Sequence, residues 1–171
     1  LLSTNNQEDT GFEGIQTPAI YVPPKAEGWN INGFSTGSLA SKGQISIFGA
    51  NSAGSVINLR GVWNIEHPVN MSTLRINFKQ ISSRVRFLRP DLMGNTTARG
   101  QRQDDMDTTI RYCVFGAYAA TKSQVGIGND NDFGDYNVDR CIAIEYRGRN
   151  LIFDNNRFVT GKYSTALALC Y

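Results

Sequence analysis

The sequence has few of the side chains that most enzymes use near neutral pH. His67 is its only histidine, and its three cysteines, Cys113, Cys141 and Cys170, are spaced by 28 and 29 residues with no C-x-x-C pair. A zinc site needs about four Cys or His ligands at close spacings, and the chain does not offer them. With so little that titrates near pH 7, we predict a protein that is not an enzyme and needs no cofactor.

Charged residues and long apolar runs are also scarce. Lys and Arg number 17 against 15 Asp and Glu, so that 19% of residues are charged and the net charge is +2. A low, balanced charge with 40% hydrophobic residues excludes a disordered chain. No run approaches the roughly 20 apolar residues of a membrane-spanning helix. We therefore predict one domain over residues 1–171, with residues 1–14 as a candidate extended arm.

Short stretches rich in Ile, Val, Phe, Tyr and Thr recur along the chain, separated by clusters of Gly, Asn, Asp and Ser. Such stretches favour β-strands, because branched and aromatic side chains fit a pleated surface. The candidate strands are Ile15–Val22, Trp29–Phe34, Gln44–Phe48, Ser55–Ile65, Leu74–Leu88, Thr109–Ala119, Asp139–Tyr146, Asn150–Phe153 and Tyr163–Tyr171.

The segment between strands 142–146 and 151–153 indicates how those strands connect. Gly148 interrupts two apolar stretches and predicts a β-hairpin. The final segment, 163–171, alternates large with small residues and predicts a strand deep in a sheet, and we see no internal repeat. Together these features predict an all-β fold, an antiparallel β-sandwich of eight or nine strands that is jelly-roll-like.

Residues 74–88 fit two periods. Leu74, Phe78 and Ile81 would share one helical stripe, whereas the alternation of apolar and basic residues has the period of two that a strand requires. Helical placement would leave Ile76 and Phe87 exposed. We therefore favour two strands, or one bulged strand.

The stretch Gly33-Phe34-Ser35-Thr36-Gly37 matches the G-x-S-x-G pattern of a serine hydrolase. That pattern needs a following helix and a histidine partner. Strand-like sequence follows instead, and His67 stands beside Pro68 in a predicted turn. We interpret the stretch as an ordinary turn.

Asp130, Asp132 and Asp135 form an acidic cluster that is a weak calcium candidate. Carboxylate oxygens suit a hard cation, but the order of residues does not match an EF-hand. A solvated loop is the alternative that we favour, so we predict no metal site.

Arginine is concentrated in one part of the chain. Five of the twelve arginines fall within 19 residues: Arg84, Arg86, Arg89, Arg99 and Arg102. Guanidinium groups bind phosphates and carboxylates in a bidentate manner, so this cluster predicts an interface with nucleic acid or with a neighbouring subunit. A solvated strand face is the alternative.

Aromatic side chains give a further candidate surface, because flat rings can stack on sugars. Most of them are expected to fill the core. The candidates are Tyr21, Trp29, Trp63, Tyr112, Tyr118, Tyr136, Tyr146, Tyr163 and Tyr171.

These observations predict a non-enzymatic, self-assembling structural subunit, with a viral capsid (coat) protein of jelly-roll type preferred. Its expected partners are copies of itself and nucleic acid, and its expected location is a virion or the extracellular space. One alternative is a pilus or filament subunit that polymerises by strand addition through Leu1–Val22 or Tyr163–Tyr171. Another is a secreted carbohydrate-binding module.

Overall fold

The structure is a computed structural model that describes residues 19–35, 45–65, 69–87, 103–119, 142–146, 148–161 and 165–169. These residues form thirteen β-strands. The strands are β1 (Ala19–Val22), β2 (Trp29–Ser35), β3 (Ile45–Gly49), β4 (Val56–Ile65), β5 (Val69–Ser72), β6 (Arg75–Phe78), β7 (Arg84–Phe87), β8 (Gln103–Arg111), β9 (Val114–Gly116), β10 (Ile142–Tyr146), β11 (Gly148–Asp154), β12 (Arg157–Val159) and β13 (Thr165–Leu169).

Every strand pairing in the described residues is parallel. One sheet has five strands in the order β1-β3-β5-β8-β11, which we call face 1. The second sheet has eight strands. Two of them, β2 and β4, pair with each other and bend from one side of the core to the next. The first half of β4 pairs with β6 and the second half with β7. This sheet therefore wraps two further sides of the core, face 2 with β6, β9 and β12 and face 3 with β7, β10 and β13.

The chain thus winds as a parallel β-solenoid with three faces. One circuit through faces 1, 2 and 3 is a rung, and the described strands make five of them. The first rung is β1 and β2, the second is β3 and β4, and each later rung has three strands. Each rung stacks on its neighbours through the ladders, as in other solenoids.

The corner between faces 1 and 2 is a tight turn of two residues in the last three rungs. Thr73, Tyr112 and Asn155 occupy the same place in successive rungs, and each has a positive φ between 50° and 54°. Backbone hydrogen bonds continue across these corners. The amide of Tyr112 donates to the carbonyl of Asp154 at 3.2 Å, and that of Thr73 donates to Arg111 at 3.2 Å. The rungs are therefore tied together at this corner as well as along the strands.

Asparagines form a ladder on the outer side of face 2. The side-chain amide of Asn77 donates to Asn58 at 3.3 Å, and that of Asn58 donates to Asn30 at 3.4 Å. At the end of this ladder, the side-chain oxygen of Asn77 accepts a hydrogen bond from the Nε of Arg75 at 2.7 Å. Three successive rungs are thus joined by side chains as well as by backbone.

The core is a set of columns, because residues in register point to the same side in every rung. On face 1 the inward column begins Ile20, Ile47, Met71 and Ile110, and each of these side chains is fully buried. Further inward columns include Trp29, Ile57, Ile76, Phe115 and Phe158 on face 2, and Trp63, Val85, Ile144 and Leu167 with Ile65, Phe87, Tyr146 and Leu169 on face 3.

The prediction of an all-β protein is confirmed, but that of an antiparallel, jelly-roll-like β-sandwich of eight or nine strands is wrong. The strand signals are the same in both folds, since each uses short β-rich stretches between turn residues. Parallel strands usually need a long crossover. Here the other two sides of the solenoid serve as that crossover, so no helix is needed.

Three finer predictions are also wrong. The segments 142–146 and 151–153 do not form a hairpin, because β10 pairs with β7 and β13 whereas β11 pairs with β8. The chain does have an internal repeat, which lies in the rungs and not in recurring residue identities. Among the described strands β13 lies at the edge of its sheet and not deep within it.

The segment 74–88 resolves as strands. β6 and β7 lie on different faces, with a turn between them in which Ser83 Oγ accepts from the amide of Gln80 at 3.1 Å. The interpretation as two strands is confirmed, and the helical alternative is wrong. Ile76 and Phe87, which a helix would expose, are both fully buried.

Candidate functional site

The last rung, formed by β11, β12 and β13, leaves its inward residues incompletely covered. In three columns the final residue, Phe153, Phe158 or Leu167, is only partly buried although its predecessors are enclosed. In the fourth column Leu169 is 56% exposed, whereas Tyr146 directly beneath it is 2% exposed. Among the residues that the structure describes, the core therefore ends in an open apolar surface at this rung.

Stacked rings build the centre of that surface. Phe115 lies one rung below, with its ring centroid 5.3 Å from that of Phe158 and 6.1 Å from that of Phe153. Phe153 and Phe158 stack on each other at 5.4 Å with an interplanar angle of 11°. These rings fix one another, so the end of the core presents a preformed surface.

Two outward residues extend the apolar surface beyond the core. Ile152 and Val159 are 52% and 42% exposed. In the face 1 column that ends in Ile152, the preceding residues are Ala19, Ser46, Asn70 and Thr109, which are small or polar. An isoleucine follows only in the last rung, where a polar residue would be expected on a solvated face.

The strand edges of the last rung are open in the part of the chain that the structure describes. There β11 pairs only with β8, β12 only with β9, and β13 only with β10. The opposite edge of each strand carries backbone N–H and C=O groups that can form a further ladder. Open edges next to apolar side chains are sites at which another chain can add.

Arg84 and Arg86, predicted from sequence as interface residues, lie on the outer side of face 3 beside Glu145. The Nε of Arg86 donates to Glu145 at 3.0 Å and a terminal nitrogen of Arg84 lies 3.5 Å from the same carboxylate. Glu145 is 4% exposed, so this is a largely buried ion cluster within one chain. Arg89, Arg99 and Arg102 lie outside the described residues.

Of the metal and thiol candidates, Cys113 lies within the described residues and the others lie outside them. Asp130, Asp132 and Asp135 lie outside the described residues, as do His67, Cys141 and Cys170. Across the described ranges no group of three or more potential ligands could hold a metal ion. Cys113 is a free thiol in the core, and burial raises its pKa to about 11.

The aromatic candidates are split between core and surface. Trp29, Trp63 and Tyr146 are buried. Tyr21 points outward from the first rung of face 1, where its ring centroid lies 5.4 Å from that of the outward Phe48 in the next rung. Tyr112 is exposed at a corner.

Sequence reasoning did not identify the last rung as a site. The residue that could have indicated the site is Ile152. Its apolar side chain is unexpected only when it is aligned with Ser46, Asn70 and Thr109, which occupy the same outward column in earlier rungs. That alignment depends on a repeat that the sequence does not display, because loops of different length separate the equivalent strands.

Comparisons with protein-family models, with curated proteins and with solved structures found no match. Among the described residues no helix is long and apolar enough to span a membrane.

Proposed function

We propose that the protein is a non-enzymatic structural subunit that associates with copies of itself through its last rung. The observation that carries this proposal is the uncovered end of the core, where Leu169, Ile152 and Val159 are exposed beside open strand edges. The coat-protein prediction loses its jelly-roll basis, since the strands are parallel. Contact with nucleic acid and a location in a virion or outside the cell stay predictions from the sequence.

Energetics support association at this surface. Complete burial of a fully exposed large aliphatic side chain contributes about 1.5–3 kcal/mol, and Ile152, Val159 and Leu169 are about half exposed, so each would contribute roughly half of that. Three such side chains on each of two copies would offset much of the cost of association, which is about 4–15 kcal/mol. Cross-chain backbone hydrogen bonds along the open edges would add to this.

Light scattering after size-exclusion chromatography, over a series of protein concentrations, tests the proposal. The wild type is expected to form oligomers, whereas Ile152→Lys and Leu169→Lys are expected to remain monomeric, because a charge in the joined surface would lose its hydration. Tyr21→Lys is the matched control, since it changes an exposed ring on the first rung. A wild type that remains monomeric at high concentration would contradict the proposal.

A second candidate function, carbohydrate binding, is favoured by the outer side of face 1. Tyr21 and Phe48 form an exposed ring pair there, tilted by 36°. The neighbouring outward positions carry Ser46 and Asn70, whose hydroxyl and amide groups suit sugar hydroxyls. Apolar rings flanked by hydrogen-bonding groups are the elements that a sugar site requires.

Affinity electrophoresis in gels that contain neutral polysaccharides tests this second function. The wild type should be retarded, and Tyr21→Ala with Phe48→Ala should restore its mobility. Tyr112→Ala, at an exposed ring remote from the pair along the sequence, is the control. Equal mobility of all variants in every polysaccharide would exclude the candidate.

A further inference from the structure

We propose that two copies meet last rung to last rung, around a two-fold axis that passes beside Ile152, and form a closed dimer. This inference rests on the proposed function, and it specifies the partner surface and the symmetry that the function leaves open. The solenoid would thereby double in length, and its open ends would be joined to each other.

The first rung is the reason for excluding a head-to-tail arrangement. Its inward residues Ile20, Val22, Trp29 and Ile31 are between 0% and 4% exposed, as enclosed as those in the middle of the stack. A last rung placed against this end would find no uncovered core to cover its own. The matching open surface is the last rung of another copy, so the contact is isologous, with the same residues on both sides.

A two-fold axis perpendicular to the solenoid reverses the strand direction, so the facing edges would pair as antiparallel strands. β11 is the longest strand of the last rung, and it can pair with its own copy if the axis crosses face 1. The same rotation exchanges faces 2 and 3, which brings β12 of one copy against β13 of the other. All three open edges are then used.

The register follows from the side-chain alternation. Directly opposite residues of an antiparallel pair point to the same side, so outward residues must oppose outward ones. With Ile152 opposite Ile152 of the other copy, the inward Leu151 lies opposite the inward Phe153, and Asn150 lies opposite Asp154. No like charges then oppose each other along β11. A register centred on Leu151 would instead place the polar Asn150 opposite the apolar Ile152.

The contact is large enough for a stable dimer. The rise of about 3.3 Å per residue sets the perimeter of one rung. With its outward side chains, that rung encloses a cross-section of roughly 800 Å² at the end of the solenoid. That value matches the roughly 800 Å² that each partner contributes to a standard protein interface.

A single cysteine at the axis tests the symmetry. In a Cys141→Ser, Cys170→Ser background, Ile152→Cys is expected to form a disulfide with its own copy under mild oxidation, because opposed Cα atoms lie about 4.5–5.5 Å apart and a disulfide spans about 4.4–6.8 Å. Val159→Cys is the matched control. Its strand would face β13 of the other copy, so it should give no such cross-link.

The mass of the unmodified protein provides a second measurement that does not depend on these variants. Light scattering is expected to level off at twice the chain mass of 18.9 kDa. Mass that keeps rising with concentration, or cross-linking of Val159→Cys equal to that of Ile152→Cys, would overturn the two-fold arrangement and leave the proposed function standing. A wild type that is monomeric throughout would overturn both.

Discussion

At the scale of single residues, Cys113 shows what the corners of the solenoid require. It follows Tyr112 in the corner between β8 and β9, where its side chain joins the core and its Sγ donates to the carbonyl of Arg111 at 3.3 Å. The amide of Cys113 donates to the side chain of Asn156, directly above it, at 2.9 Å. Burial raises the pKa of the thiol to about 11, because a thiolate would lose its hydration. This thiol is therefore structural and a poor nucleophile.

The raised pKa predicts how stability depends on pH. Above the ordinary value near 9, the unfolded chain loses the thiol proton while the folded chain keeps it up to about pH 11. The contribution of the buried thiol is thus complete below pH 9 and declines between pH 9 and 11, by up to about 2.5 kcal/mol. The difference in unfolding free energy between the wild type and Cys113→Ala, measured with urea, should decrease over this range. A constant difference would show that the thiol does not stay protonated.

The ion cluster shows the limit of prediction for single residues. The density of arginine around Arg84 and Arg86 is visible in the sequence. Glu145, however, is separated from them by 61 and 59 residues, and only the pairing of β7 with β10 brings it opposite Arg86. No local pattern contains that partner, because it depends on which strands are neighbours.

At the scale of elements, the corner between faces 2 and 3 depends on a glycine in β2. A Cβ on Gly33 would lie 2.5 Å from both the backbone nitrogen and the oxygen of Val62 in the next rung. Gly61, with a φ of 119°, stands beside it in β4. The close approach of the two strands is what lets β2 and β4 run on from one face to the next.

Gly33→Ala should therefore destabilise the protein by about 2–3 kcal/mol, because backbone and not a flexible side chain occupies the space. Gly54→Ala is the matched control, since its Cβ would meet its nearest neighbours at 3.3 Å, and it should change stability by less than about 1 kcal/mol. Urea unfolding followed by circular dichroism measures both. Equal midpoints for the two variants would contradict the role assigned to this corner.

The strands themselves were largely predictable, whereas their partners were not. The apolar and polar alternation in 45–49, 56–65 and 84–87 marks where strands lie and which side chains point inward. It does not distinguish a strand that pairs with its neighbour in sequence from one that pairs a rung away. The apolar stretches on either side of Gly148 illustrate this: they lie in β10 and β11 on different faces and not in the two arms of a hairpin.

At the scale of the whole molecule, the solenoid has two unlike ends. Each rung contacts only its neighbours, so stability is nearly a sum of rungs and of the interfaces between them. The first rung has an enclosed core, whereas the core of the last rung is incompletely covered, although among the described residues the strands of both rungs pair on one side only. A terminal unit of this kind opens most readily unless a partner covers it.

Hydrogen exchange followed by mass spectrometry should reveal this asymmetry. In dilute protein the amides of β11, β12 and β13 should exchange faster than those of β4, β5 and β6, since their inward side chains are incompletely covered. Raising the concentration should slow exchange in the last rung and leave the middle rungs unchanged, because association protects the open edges. Ile152→Lys should abolish this concentration dependence. Uniform exchange across the rungs, independent of concentration, would mean that the last rung is as well supported as the rest and would remove the physical reason for association there.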